Sequence, residues 1–265
     1  MTQSIRNIEL TTGVRLQYAE RGTGTPVLLL HGYSDSWYSY ASVLDQLDDR
    51  VHAFALTQRG HGDAGKPQEG YDMADFAADA LAFLDAQGLD RVAVVGHSMG
   101  TFIAQELALS QPERVSHLIL IGSAPRGDNE VLAGLAEAVA DLQDPVDGAF
   151  IREFQASTVH TPIPDDVLDT ICAESSKMPA RVWRQVLAGL RAYDAKSQLA
   201  SISAKTLLLW GDCDTVFSRA EQDELRAAIP GATLAVYQDI GHGLHWEAPR
   251  RVADQLAAFV SRFER

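Results

Sequence analysis

The sequence predicts an α/β protein with a mostly parallel central sheet, helices on both of its faces, and one all-helical insertion. Three observations lead there. Short continuous apolar runs recur at residues 27–30, 51–56, 92–95, 118–121 and 207–210, and such runs suit strands buried on both faces of a parallel sheet. Segments with helical spacing lie between them, at 74–84, 102–109 and 220–229, so strand and helix alternate. From about Pro125 to about Leu199 that alternation stops and only amphipathic helical patterns remain.

Taken in order, residues 5–10 and 14–20 alternate apolar and polar around a Thr12-Gly13 turn, which predicts an antiparallel hairpin. The run at 27–30 is the first strand buried on both faces, and a helix is expected to begin near Ser34. After the strand at 51–56, the helix over 74–84 follows an Asp72 cap and stops near Gly88. The strand at 92–95 leads into a glycine-flanked turn and a helix over 102–109 that ends before Pro112. In the insertion, helices are expected at 130–142, 148–157, 166–175 and 180–193, punctuated by Pro145, Pro162, Pro164 and Pro179. The strand at 207–210, the helix over 220–229 closed by Pro230-Gly231, a strand at 233–237 and a helix over 249–263 complete the chain. The domain reading is a core of residues 1–124 and 200–265 with a helical insertion of residues 125–199.

Composition narrows the function. A chain of 265 residues with 46% hydrophobic content can bury one large core. A net charge of −14 supplies none of the basic surface on which nucleic-acid binding depends. Cys172 and Cys213 form neither a disulfide framework nor metal-ligand spacing, and read as free thiols of a reducing compartment. No stretch of 18 apolar residues and no basic-then-apolar leader is present, so a cytoplasmic protein without a membrane span is expected. The sequence holds no His-Glu-x-x-His, no Cys-x-x-Cys, and no Gly-x-Gly-x-x-Gly after the first strand, and neither metal nor redox cofactor is expected.

The chemistry gathers on a few loops. The run at 92–95 enters Gly96-His97-Ser98-Met99-Gly100 and a helix follows at once. A sharp strand-to-helix turn needs small residues two before and two after the central serine, and it exposes that serine on a strained backbone. A serine hydroxyl attacks only when a base takes its proton. Of the eight histidines, His242 in Gly241-His242-Gly243 sits just beyond the strand at 233–237, where active groups of open α/β sheets collect. His245 is the rival base, but it borders Trp246 and is expected to pack at the loop base. His31 and His97 read as supporting groups near the site. The base must be held in one tautomer by a buried carboxylate. Asp214 is chosen, at the end of the strand that runs through Trp210-Gly211-Asp212-Cys213-Asp214, with Asp212 and Asp128 as alternatives. Backbone amides of Met99 and of Tyr33, after Leu30-His31-Gly32, are placed to stabilise a developing oxyanion.

With these pieces in place the chain resembles the α/β-hydrolase superfamily, in the branch of small serine esterases and lactonases with a helical cap. The similarity rests on His31-Gly32, Arg59-Gly60-His61-Gly62, the turn from Gly96 to Gly100, Gly211 to Asp214, and Gly241-His242 with Glu247 and Pro249 downstream. It implies an α/β-hydrolase fold, the carboxylate on Asp214 and not Asp212, the base on His242, and a cap formed by the insertion. Relatives often carry Asp where this chain has Thr57. Relatives that open epoxides or remove halides carry an aspartate at the turn, and here the residue is Ser98.

A small or medium hydrophobic ester, or a lactone, is the expected substrate. Trp37, Phe150, Phe154, Met178, Trp183 and Trp246 are expected to line its pocket, together with Tyr33 and Val182. Two other activities fit the same residues. A carbon-carbon bond hydrolase of vinylogous diketones would use Trp246, with Arg181 or Arg184 holding a carboxylate; a ligand sensor of low turnover would use the insertion to alter partner binding.

Overall fold

The computed structural model describes residues 3–261. Its sheet has eight strands: β1 (Ser4–Glu9), β2 (Arg15–Gly22), β3 (Thr25–Leu30), β4 (Val51–Thr57), β5 (Val92–His97), β6 (Val115–Ile121), β7 (Lys205–Gly211) and β8 (Thr233–Tyr237). Their spatial order is β1-β2-β4-β3-β5-β6-β7-β8. β2 pairs antiparallel with β1 and β4, and every pairing from β4 through β8 is parallel. This is the α/β-hydrolase arrangement. Strand order reverses around β3, which leaves the loops after β3 and β5 side by side at the carboxyl edge of the sheet, the place where a crevice forms in open α/β folds.

The continuous apolar runs are explained by which face each residue serves. Leu28, Leu30, Val94, Leu118 and Leu120 pack into one hydrophobic cluster, whereas Val27, Leu29, Val95, Ile119 and Ile121 pack into another on the opposite face. Helices α2 (Met73–Ala86), α3 (Met99–Ser110) and α8 (Arg219–Ala228) contribute to the first cluster. Helices α1 (Ala41–Gln46), the short α9 (Leu244–Glu247) and α10 (Pro249–Ser261) contribute to the second. A chain buried on both sides has no polar alternation, which is why these strands read as unbroken hydrophobic stretches.

Between β6 and β7 lie α4 (Glu130–Val139), α5 (Gly148–Ser157), α6 (Asp165–Ser175) and α7 (Ala180–Ala192). The ends of the inserted segment are held together. Gly127 N–H donates to the Tyr193 carbonyl at 3.0 Å, Ala195 N–H donates to the Pro125 carbonyl at 3.1 Å, and Arg126 and Asp194 form an isolated antiparallel bridge. Leu132, Ile151, Val182, Trp183, Val186 and Leu190 join the same cluster as the strands beneath, so the insertion shares the core of the sheet.

Three helix boundaries differ from the sequence reading by three residues. The helix expected near Ser34 begins at Trp37 as a single 3₁₀ turn and becomes α-helical only at Ala41; Ser34 has φ 65°, which no helix accepts. The helix expected from Phe102 starts at Met99, because Gly100, a poor helix former, masked its first turn. The helix expected to reach Leu142 stops at Val139. The expected end of the last helix, Phe263, lies outside the described residues. Among the described residues no helix is long and apolar enough to cross a membrane.

Candidate active site

β5 ends at His97, and Ser98 adopts φ 50° and ψ −120° before α3 starts at Met99. A non-glycine residue in the left-handed region costs about 1–3 kcal/mol and persists only where its surroundings enforce it. Here they do. Ser98 N–H donates to the Ile121 carbonyl at 3.0 Å, and the hydroxyl of Thr101 donates back to the Ser98 carbonyl at 2.6 Å. A Cβ on Gly96 would collide with the Gly100 carbonyl, and one on Gly100 would collide with the Leu30 carbonyl. Both flanking glycines are therefore required by close backbone approach.

Asp214 follows β7. Its Oδ1 accepts the amides of Val216 (2.8 Å) and Phe217 (3.0 Å), and its Oδ2 lies 2.9 Å from His242 Nδ1. The carboxylate is fully buried and the imidazole nearly so. An imidazole whose Nδ1 faces a carboxylate presents Nε2 to the cavity as a proton acceptor. Gly122, at φ 56° after β6, lies beneath this pair: a Cβ there would sit 2.8 Å from His242 Nδ1 and 3.3 Å from Asp214 Oδ2. The alternatives are occupied elsewhere. Asp212 accepts the Asp239 amide at 2.8 Å, and Asp128 pairs with Arg126. His245 is fully buried, with Nε2 2.8 Å from Ser39 Oγ, and burial followed by the nearby His242 pushes it down to about 3.

His31 and His97 support the two loops. Gln58 N–H donates to His31 Nε2 at 3.0 Å, so the proton is on Nδ1, which donates to the Gly32 carbonyl at 2.7 Å. Burial, followed by the neighbouring His61, holds His31 well below the usual imidazole range. His97 Nε2 lies 3.1 Å from the His242 carbonyl, an acceptor only, so Nε2 carries the hydrogen. Burial and the adjacent His245 and His242 keep this ring neutral as well. Among the described residues no backbone carbonyl accepts the Tyr33 N–H, and Met99 N–H, first in its helix, has no intrahelical acceptor.

Ser98 and His242 face a common cavity of about 340 Å³. No hydrogen bond joins them among the described residues, a looseness common to unliganded sites. One wall is apolar and comes from α4 (Val131, Leu132, Leu135), with Leu190 of α7 and Val216. The other carries Gly32, Asp35, His97, Gln155 of α5 and Thr158 just after it. Asp35, His97 and His245 also place their ligand atoms within 4.8 Å of one another, a grouping of the kind that can hold a metal ion.

A sequence profile of the alpha/beta hydrolase fold matches residues 25–249, most of the chain. The chain belongs to the α/β-hydrolase fold family. Among curated relatives it is 30% identical over 236 residues to a dihydrolipoyllysine-residue acetyltransferase component of an acetoin cleaving system from Cupriavidus necator, covering 87% of this chain and 62% of that protein. It is 28% identical over 274 residues to a non-heme haloperoxidase from Rhodococcus erythropolis, covering 96% and 98%. Among solved structures, an esterase from Exiguobacterium antarcticum superposes with a TM-score of 0.88 at 23% identity, covering 96% of this chain and 98% of that one.

Within this α/β-hydrolase fold the pocket expectations divide. Tyr33, Phe154 and Trp246 line the cavity. Trp37, Phe150, Met178, Val182 and Trp183 do not. Trp183 is fully buried behind the wall: its ring meets Tyr33, Phe150 and Phe154 edge-on at 5.1, 5.7 and 5.6 Å, its carbonyl accepts the Tyr33 hydroxyl, and its Nε1–H donates to the Met178 carbonyl. Val182 is equally buried, and Met178 nearly so. Trp37 packs into the opposite core cluster, with its amide on Thr57 Oγ1. These residues are large and apolar because they are core. The cavity residues that the sequence did not single out are Asp35, Gln155, Gly122 beneath it and the apolar face of α4. Leu132 and Leu135 were visible as part of an amphipathic helix, but nothing local says which surface that helix covers.

Proposed function

We propose that the chain is a serine hydrolase that cleaves a small or medium hydrophobic carboxylic ester or lactone through an acyl-enzyme intermediate. His242 Nε2 takes the proton of Ser98 Oγ as that oxygen adds to the substrate carbonyl. The Tyr33 and Met99 amides hold the oxyanion, each contributing about 3–4 kcal/mol. His242 then returns the proton to the departing alkoxide, and a water activated by the same imidazole releases the acid. Asp214 keeps the ring in one tautomer and stabilises its charged form. The helices of residues 125–199 act as a cap that supplies the apolar wall.

One observation carries the reading: Ser98, on a left-handed turn at the sheet's carboxyl edge, shares a cavity with an imidazole anchored by a buried carboxylate. The carbon-carbon hydrolase reading is less well supported. Trp246 lines the cavity, but Arg181 donates to the carbonyls of Lys66 and Pro67, Arg184 donates to that of Leu142, and among the described residues no arginine or lysine lines the cavity. For the sensor reading no specific observation among the described residues speaks.

A fluorophosphonate probe tests the proposal. It should label the wild type and leave Ser98→Ala unlabelled, and wild type should turn over a p-nitrophenyl ester repeatedly. Labelling that persists in Ser98→Ala would remove the nucleophile. Single-event turnover with strong ligand-dependent stabilisation would favour a sensor.

A further inference from the structure

The acyl transfer proposed above leaves Asp35 without a task. Its side chain is almost wholly buried yet lines the cavity that contains Ser98, and no lysine or arginine acts on it. Neutral donors reach it instead: Ser39 Oγ at 3.1 Å from Oδ2 and Gln155 Nε2 at 3.2 Å from Oδ1. A carboxyl group in that setting is a strong acceptor with spare capacity.

A second acceptor stands beside it. Because His97 Nε2–H is committed to the His242 carbonyl, Nδ1 presents a bare lone pair, and it has no hydrogen-bond partner although buried. The two acceptors converge. Ligand atoms of Asp35 and His97 lie within 4.8 Å of each other, and a Cβ on residue 32 would lie 2.9 Å from His97 Nδ1 and 3.2 Å from Asp35 Oδ2, so both acceptors border the bare Cα of Gly32, itself part of the cavity wall, and any side chain there would crowd them. Buried acceptors left unpaired are costly and call for a donor.

We propose that Asp35 Oδ2 and His97 Nδ1 form a subsite for a hydrogen-bond donor on the substrate, a hydroxyl or a primary ammonium, while the α4 wall receives an apolar chain. The proposal rests on the ester-hydrolase reading and adds the substrate class: an ester or lactone with one apolar arm and one donor-bearing arm. Burial pushes the Asp35 carboxyl up to about 7, against the opposing pull of the Ser39 and Gln155 hydrogen bonds, of His242 and of the Gly32 backbone, which lets it serve a hydroxyl and, on ionising, an ammonium. A metal ion is the poorer occupant, because His245, whose Nδ1 is also without a partner among the described residues, does not line the cavity.

Two matched ester series test this. One varies the alcohol of a butanoate (propyl, methoxyethyl, hydroxyethyl, aminoethyl), and the other places the same groups on the acyl chain of a methyl ester. In one series, kcat/KM for the hydroxyl or ammonium member should exceed its methoxy counterpart by about 10-fold or more. Asp35→Asn should remove the ammonium preference and Asp35→Leu both preferences, with melting temperature reporting that each variant is folded. Gly32→Ala, which crowds both acceptors and leaves the carboxyl in place, should flatten the same ratios. Ratios within about twofold of unity in both series, preferences that survive in both Asp35 variants, or preferences abolished by a chelator would overturn the subsite. If no ester is cleaved, the hydrolase reading fails separately, and the subsite is read by NMR line broadening. Ethanolamine should broaden with wild type and not with Asp35→Asn, propan-1-ol with neither, and equal behaviour of the two ligands would overturn it.

Discussion

The carboxyl edge of the sheet and the helices inserted after β6 both line one cavity, by different physical means. At the sheet edge, backbone decides. Ser98, Asp214 and Gly122 take their places from strand ends, and the glycines are fixed by clearances of a single carbon atom. In the insertion, packing decides. Phe150 and Phe154 lie one helical turn apart on α5 and both meet the Trp183 ring, yet only Phe154 reaches the cavity. Function concentrated on rigid strand ends should fail abruptly when altered, and function spread over helix faces should change by degrees.

The sharpest way to break that contrast is at the Asp214-His242 pair. His242→Ala should lower kcat on a p-nitrophenyl ester by about 10⁴-fold or more, and Asp214→Asn by about 10³- to 10⁴-fold. His245→Ala should cost less than about 10-fold, because that ring is part of the packing beneath the site. A crippled His245→Ala with an active His242→Ala would exchange the two roles.

Trp183→Ala is the corresponding large change on the helical side, and it should act on stability. Removing a fully buried indole that supports Tyr33 and Phe154 from behind should cost about 3–5 kcal/mol, read as a fall in the urea midpoint. An unchanged midpoint would mean that the insertion does not share the core of the sheet.

These two cases also show what sequence alone could reach. Strand ends were legible because their signals are local: Gly-x-Ser-x-Gly after an apolar run, and an acidic loop after another, in which the family resemblance selects Asp214. Helix existence in the insertion was legible from periodicity and proline spacing. Which face of each helix meets the cavity was not, since a rotation of one residue exchanges core for lining and the determinants sit on other elements. Trp183 and Met178 have the composition of pocket residues and the burial of core residues. Asp35 was invisible for the opposite reason: a polar residue in a Ser-Asp-Ser loop reads as surface, and its burial comes from distant elements such as α5, whose Gln155 reaches it.

Acid stability probes the sheet side further. His61 is fully buried against His31, and burial pushes it down to about 4 from 6.5. Nearby Lys66 also disfavours its charged form. The folded value is the depressed one, so the unfolded chain binds the proton first as pH falls. The contribution is present above about 6.5 and is lost as pH falls through about 4, amounting to about 3 kcal/mol. Urea unfolding measured across that window should show a steeper loss for wild type than for His61→Gln, and parallel curves would remove His61 from the account.

A smaller effect is expected from Gly122→Ala. The added carbon would press on the imidazole that His242 turns toward Asp214, and a misplacement approaching 1 Å costs about 10²-fold in rate. The loss should appear in kcat while KM moves little, since the cavity walls are not touched. A change confined to KM would show that the clearance shapes the pocket and not the Asp214-His242 pair.

The gentlest test is on α4. Leu135 is half-buried on the cavity wall, and truncating it to alanine removes three carbons that a substrate chain can contact. Each methylene buried against such a wall is worth about 0.8 kcal/mol, close to fourfold in kcat/KM. Longer acyl chains can extend into the space that Leu135→Ala opens, and short ones cannot. The ratio of kcat/KM for p-nitrophenyl octanoate to that for the butanoate should therefore rise by about 5-fold. If the ratio holds constant, the apolar arm lies elsewhere and the α4 wall is surface that the substrate never meets. If it shifts by degrees as expected, the graded behaviour of the helical wall stands against the abrupt failure at the strand ends, within one cavity and on one substrate series.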